Sequence, residues 1–204
     1  MYLYEDGIKQ AREASETFKR LGDTAQQALC LINLAYLLLD DNQLDAAEEA
    51  ASCAINHLLE KGEKFKLCQG HSALGDIYSS KGEREKAIHH FEVVREIASP
   101  FNWHDELFWV HYALANLFFG EGRFDEAHAH IECAKSQVVD NAYNLGRAME
   151  LQAGFWYRQC MPEKARFEAS HAAEVYEKIG AIKDIKDCIS LLRKIDRLDL
   201  DGEH

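Results

Sequence analysis

The sequence predicts an all-α solenoid of helix-turn-helix repeats, about ten helices long, and three observations carry that prediction. Leu34, Leu74 and Leu114 are spaced by a constant step of 40, each followed by a small residue, Ala35, Gly75 and Ala115. Turn-forming residues recur at the same interval: Asn42, Gly82 and Gly122 in one series, and Gly22, Gly62, Asn102, Asn141 and Gly180 in a second, at steps of 40, 40, 39 and 39. Glycine and asparagine tolerate the left-handed conformation that ends many helices. The 204 residues contain only two prolines and no apolar run long enough to span a membrane, which suggests neither a β-sandwich nor a transmembrane helix. Self-similarity at a fixed period of roughly 20–50 residues is the signature of stacked repeats.

The register places each element in turn. Helices are expected over 3–20, 24–40, 43–60, 64–80, 83–98, 103–120, 123–138, 142–159, 162–178 and 181–198. The first is a half-repeat that matches the second helix of a pair, with Gly7, Ala11 and Ala14 in register. Four pairs follow, 24–60, 64–98, 103–138 and 142–178. Within them Leu38, Tyr78 and Phe118 stand in one column; Ala47, Ala87 and Ala127 in another; then Ala51, Phe91 and Ile131; then Ala54, Val94 and Ala134. The fourth pair continues after small slips, with Gly154 and Tyr157 a step of 39 on, then Ala165, Ala169 and Ala172 a step of 38 on. The last helix carries Ile182, Ile185, Ile189, Leu192 and Ile195 on one stripe and would close the stack. A single domain over 1–198 with a frayed tail at 199–204 follows. Gly75 costs a helix interior roughly 1 kcal/mol relative to alanine. A close helix crossing there, where a larger side chain would force the helices apart, offsets that cost.

Composition narrows the function. Acidic residues outnumber basic ones, 35 to 23, for a net charge of −12, and nucleic-acid or anionic-membrane surfaces need a basic footprint instead. The start, MYLYEDGIKQ, lacks the basic and then apolar regions of a signal peptide. The six cysteines have no close pair and no C-x-x-C spacing, which fits a reduced compartment, so cytoplasmic localisation is expected. His130 and Glu132 match the H-x-E of zinc deaminases, but no P-C-x-x-C follows. No H-E-x-x-H, Walker A, G-x-G-x-x-G or G-x-S-x-G is present either. The expectation is therefore no enzyme, no cofactor and no metal, with a metal-dependent or cysteine hydrolase as a remote alternative.

"ALGDIYSSKGEREKAIHHF" (73–91) and "ALANLFFGEGRFDEAHAHI" (113–131) resemble the tetratricopeptide (TPR) repeat family, with "NLAYLLLDDNQLDAAEEA" (33–50) carrying the pattern through aliphatics. The usual family period is about 34 residues. Gly75 and Ala87 nevertheless keep the family's own spacing, so the six extra residues lie between the second helix of one pair and the next pair. The resemblance implies a right-handed superhelix. The long period, with "FKRLGD" at 18–23 and "YEKIGAIKDIKDC" at 176–188, is similar to fungal TPR arrays, stand-alone or following NACHT or NB-ARC domains. The opening half-pair suggests that the chain was cut from something longer.

In the TPR family the first helix of each pair lines the concave face, where ligands usually lie. The resemblance puts Leu29, Ile32, Tyr36 and Leu39 there in the first pair, Gln69, Ser72, Asp76 and Ser79 in the second, and Trp109, Tyr112, Asn116 and Phe119 in the third. In the fourth it puts Ala148, Leu151, Phe155, Arg158 and Gln159 there. Aromatics and arginine dominate binding hot spots, so Tyr36, Asp76, Trp109, Tyr112, Asn116, Phe119, Phe155 and Arg158 are the candidate protein-binding residues. The basic clamp of chaperone-tail binders is not matched, since only Arg158 is basic. The expected function is a scaffold for a peptide or helix of another protein. The alternative is a tail that positions a nucleotide-binding NACHT or NB-ARC switch domain, a missing N-terminal domain of the same polypeptide, with no groove ligand of its own.

Overall fold

The computed structural model describes residues 2–59 and 62–202. The described residues form ten α-helices and no strand: α1 (Tyr2–Leu21), α2 (Thr24–Asp40), α3 (Leu44–Leu59), α4 (Lys64–Lys81), α5 (Arg84–Ala98), α6 (His104–Gly120), α7 (Phe124–Ser136), α8 (Ala142–Arg158), α9 (Pro162–Ile179) and α10 (Ile182–Gly202), with a short 3₁₀ turn at Ser99–Phe101. The fold is an all-α helical-repeat solenoid. α10 is helical through Gly202, where a frayed tail from 199 was expected; 203 and 204, like position 60 of the expected third helix, lie outside the described residues. Among the described residues no helix is long and apolar enough to cross a membrane.

Left-handed residues punctuate the chain with one beat. Gly22, Asn42, Gly62, Gly82, Asn102, Gly122, Asp140, Cys160 and Gly180 all have φ between 51° and 76°. Each stands a step of 20 after the one before, except that Asp140 follows Gly122 by a step of 18. At Gly82 the amide of Glu83 donates to the carbonyl of Tyr78 and that of Gly82 to Ser79, at 2.9 and 3.1 Å. This is the Schellman arrangement that satisfies the last carbonyls of a helix. The same pair of bonds recurs at Asn42, Gly122, Cys160 and Gly180.

The short interval corrects the sequence register. The left-handed residue is Asp140, not Asn141; Asn141 instead caps α8, its side-chain oxygen accepting from the Asn144 amide at 3.1 Å. The repeat is shortened by two within α7 and its exit turn, so the first helix of the fourth pair follows that of the third at a step of 38, not 39, the same step as was expected for the second helix. The close-packed position there is Ala153, which is fully buried, while a Cβ on Gly154 would meet nothing within 4 Å. Trp156 rather than Tyr157 then occupies the aromatic column.

By its packing the chain divides into two compact units, Met1–Glu106 and Leu107–His204. In the first, α1 packs on α2, α2 on α3, α3 on α4 and α4 on α5, and α2 also meets α4. Ala28, Ile32, Ala54 and Leu58 form a core there, flanked by Leu31, Tyr36 and Leu67. In the second unit Phe108, Ala134 and Ala148 join α6, α7 and α8, and Ala153, Ala165, Ala169 and Ile195 join α8, α9 and α10. Small residues at these crossings let the helices approach, and aromatics fill the remaining space. Not all of the closing stripe is covered: Ile195 is buried, but Ile182 and Ile189 are exposed.

Candidate protein-binding face on α6 and α8

In the second unit the side chains of α6 and α8, the first helices of two successive pairs, meet. The Arg147 guanidinium lies 5.0 Å from the centre of the Tyr112 ring, and that of Arg158 lies 4.4 Å from the Phe119 ring. Phe119 also meets Phe155 at a ring-centre distance of 5.9 Å. On α6, Trp109, Tyr112 and Asn116 follow one another at helical spacing. Trp109 is 42% exposed and edge-on to both Phe108 and Tyr112. Asn116 is exposed, and its side-chain amide donates to the Tyr112 carbonyl at 2.9 Å. Arg158 is exposed and, among the described residues, makes no ion pair, so its charge is held over an aromatic ring and remains open to a carboxylate.

Three expected lining residues belong to the core instead. Phe155 is 5% exposed, with the His128 ring stacked on it at 5.2 Å and 13° and Phe124 and Trp156 beside it. Ile32 and Ala148 are buried too. The helical period says which way each points; it does not say how deeply the neighbouring helix covers it. The face therefore consists of Trp109, Asn116 and Arg158 at the surface with Tyr112 and Phe119 half-buried between them.

Beneath it lies a polar support that sequence reasoning missed. Arg147 pairs with Glu150 at 3.3 Å, and Glu150 accepts a 3.0 Å hydrogen bond from the Tyr176 hydroxyl. Burial raises the Tyr112 and Tyr176 phenols above their ordinary values, so both stay neutral. Elsewhere a concavity of about 370 Å³ opens between α8 and α9, lined by Gln152, Trp156, Glu163, Lys164, Phe167 and Glu168, with the Lys164 ammonium 4.4 Å from the Trp156 ring centre.

Tyr36 and Asp76 lie in the first unit, on α2 and α4, both half-buried. Burial pushes the Asp76 carboxyl up to about 7, and burial and then the Asp76 charge push the Tyr36 phenol up. An unfolded aspartate titrates near 3.9. The folded chain thus holds the extra proton between about pH 4 and 7, and this contribution to stability is full below pH 4 and lost as pH rises through 7. Asp76→Asn is expected to stabilise the protein by about 1–2 kcal/mol at pH 8, less than full linkage would give for a half-buried group. At pH 4 it is expected to change little, and thermal denaturation at the two pH values checks both.

Two histidine pairs are further features the sequence did not reveal. His71 Nδ1 lies 2.9 Å from His90 Nδ1, and His111 Nδ1 lies 2.9 Å from His130 Nδ1. In each pair the second ring also stacks on an aromatic of the preceding helix, His90 on Tyr78 at 5.4 Å and His130 on Phe118 at 5.2 Å. Of the cysteines, Cys68 and Cys188 are buried with thiols pushed up to about 12, and all six are free.

No family model and no curated protein matches the sequence. Solved structures match the fold. BtubC (BKLC) from P. vanneervenii superposes with a TM-score of 0.73 at 18% identity, over 98% of this chain and 93% of that one. A Rap protein complexed with competence and sporulation factor gives 0.67 at 13% identity, over 97% of this chain and 59% of that one. TTC0263, a thermophilic TPR protein from Thermus thermophilus, gives 0.59 at 14% identity, over 91% of this chain and 98% of that one. At such identities the likeness is one of fold, and the fold is of the TPR type.

Proposed function

We propose that this chain is a non-catalytic protein-interaction scaffold that binds a peptide or helix of another protein on the α6–α8 face. The single observation that carries the reading is the surface composition of that face. An exposed tryptophan, an exposed amide and an arginine with no carboxylate partner among the described residues stand together over half-buried rings. Such rigid aromatics and arginines contribute most of the energy at interaction hot spots. Asn116 can hold an extended backbone, and Arg158 can pair with an acidic group, so an aromatic or aliphatic segment bearing a carboxylate suits the face. The Rap neighbour complexed with competence and sporulation factor supports a ligand-binding use of this fold. Arg158 remains the natural anchor for charge, and Phe155, being core, drops out of the set.

A displayed random peptide library selected on the protein tests the reading. Trp109→Ala and Arg158→Ala, each first checked for intact helical circular dichroism, are expected to weaken the selected peptides by at least about 2 kcal/mol, roughly thirtyfold. The alternative of a tail for a NACHT or NB-ARC switch domain predicts no enriched peptide sensitive to either change.

A further inference from the structure

We propose that the two histidine pairs, His71 with His90 and His111 with His130, are two-imidazole sites for a divalent d-block cation of the nickel, copper and zinc group, each bridging the two helices of one repeat. The separation of the donors is the first argument. Two imidazole nitrogens about 2.0–2.1 Å from one ion lie roughly 2.8 Å apart at adjacent corners of a square-planar site and about 3.3 Å apart at a tetrahedral one. The observed 2.9 Å in both pairs falls within that span. Imidazole is a preferred ligand of these ions.

Recurrence is the second argument. The pairs sit at the same two positions of successive repeats, a step of 40 apart in the chain, one in each compact unit. In the first pair of helices the matching positions are Leu31 and Ala50, and in the fourth, a step of 38 on, they are Met149 and Glu168. Both histidines are present or both are absent, as expected of groups that act together. Stacking of His90 on Tyr78 and of His130 on Phe118 fixes the orientation of one ring in each pair. The Tyr78 hydroxyl is itself held by Glu48 at 2.7 Å.

Chemically the exchange is balanced and involves no oxidation. Without an ion, one Nδ1 of each pair carries a proton and donates it to the other. On binding, that ring takes its proton on Nε2 instead, both Nδ1 lone pairs turn to the cation, and no proton is released by a neutral pair. Burial holds His71 and His90 below the usual histidine range, so both are neutral at physiological pH, the form a metal requires. Among the described residues no group of three or more histidine, cysteine, aspartate or glutamate side chains is placed to hold a metal. Water therefore completes the coordination, and the ion is an addition to a folded chain, not a condition of folding.

Nickel(II) titrated calorimetrically at pH 7.5 tests the proposal without oxidising thiols. The background is Cys53→Ser, Cys133→Ser and Cys160→Ser, which removes the exposed thiols and the Cys53–His57 pair at 3.6 Å. Two equivalents are expected, falling to one in His90→Asn or His130→Asn and to none in the double variant. Absence of binding, or two equivalents surviving in the double variant, would overturn it. Nitrogen NMR of the unsubstituted protein with zinc(II) gives a reading independent of how the variants fold. The four Nδ1 resonances of the pairs should shift, whereas shifts confined to other histidines such as His104 or His171 would place the ion elsewhere.

Discussion

Gly75→Leu is expected to destabilise the protein by several kcal/mol, lowering the thermal midpoint by roughly 6–12 °C. A Cβ at Gly75 would lie 2.4 Å from one carbon of the Phe91 ring and 2.7 Å from two more, closer than such atoms ever approach. Phe91 is 2% exposed and has nowhere to swing. Overpacking of this kind costs typically about 1–3 kcal/mol for added methylenes, and leucine adds a branched group at the tightest point of the crossing. Gly75→Ala should cost less, because about 1 kcal/mol of helix propensity offsets the clash. The neighbouring repeats indicate the remedy. Where the small residue is alanine, at Ala35, Ala115 and Ala153, its partner sixteen positions on is Ala51, Ile131 or Ala169, never an aromatic. Gly75→Ala combined with Phe91→Ile rebuilds the Ala115–Ile131 pair and should recover most of the loss. An unchanged midpoint for Gly75→Leu would contradict the register on which the whole fold assignment rests.

Tyr176→Ala is expected to cost about 3–5 kcal/mol, the range for deleting a buried aromatic. Tyr176 is fully buried and fills the space that Gly146 leaves, its ring 2.6 Å from where a Cβ on Gly146 would stand. Its hydroxyl also satisfies Glu150, which pairs with Arg147 under the Tyr112 ring. Deletion opens a cavity and removes one partner of a half-buried carboxylate at once. Tyr176→Phe isolates the second effect and should cost about 1 kcal/mol, the net worth of one hydrogen bond. Urea denaturation of the three proteins separates the terms; equal midpoints for Tyr176→Ala and Tyr176→Phe would deny the packing role.

The helices and most of their turns were legible because two physical requirements are written in residue type. A left-handed residue favours glycine or asparagine, which marked seven of the nine punctuation points; Asp140 and Cys160 adopt the same conformation without the usual residue and so went unread. The slip of two positions was misplaced for a related reason. Gly154 imitates Gly75 in sequence, but Ala153 is the residue at the crossing. Trp109, Asn116 and Arg158 became candidates through the TPR resemblance, which puts the first helix of each pair on the lining face. The burial of Phe155 was not legible that way, because it depends on His128 of another helix. The histidine pairs escaped for the same cause: the members of each stand on different helices, and only tertiary packing brings them together.

The central claim is that a partner segment lies on the α6–α8 face. Hydrogen exchange of the protein with and without a selected peptide tests it most directly. The account predicts that slowed exchange concentrates in His104–Gly120 and Ala142–Arg158, with Arg158→Ala abolishing the effect at the same peptide concentration. Protection confined to α7 and α9, unchanged by that substitution, would contradict it and move the site to the opposite helices.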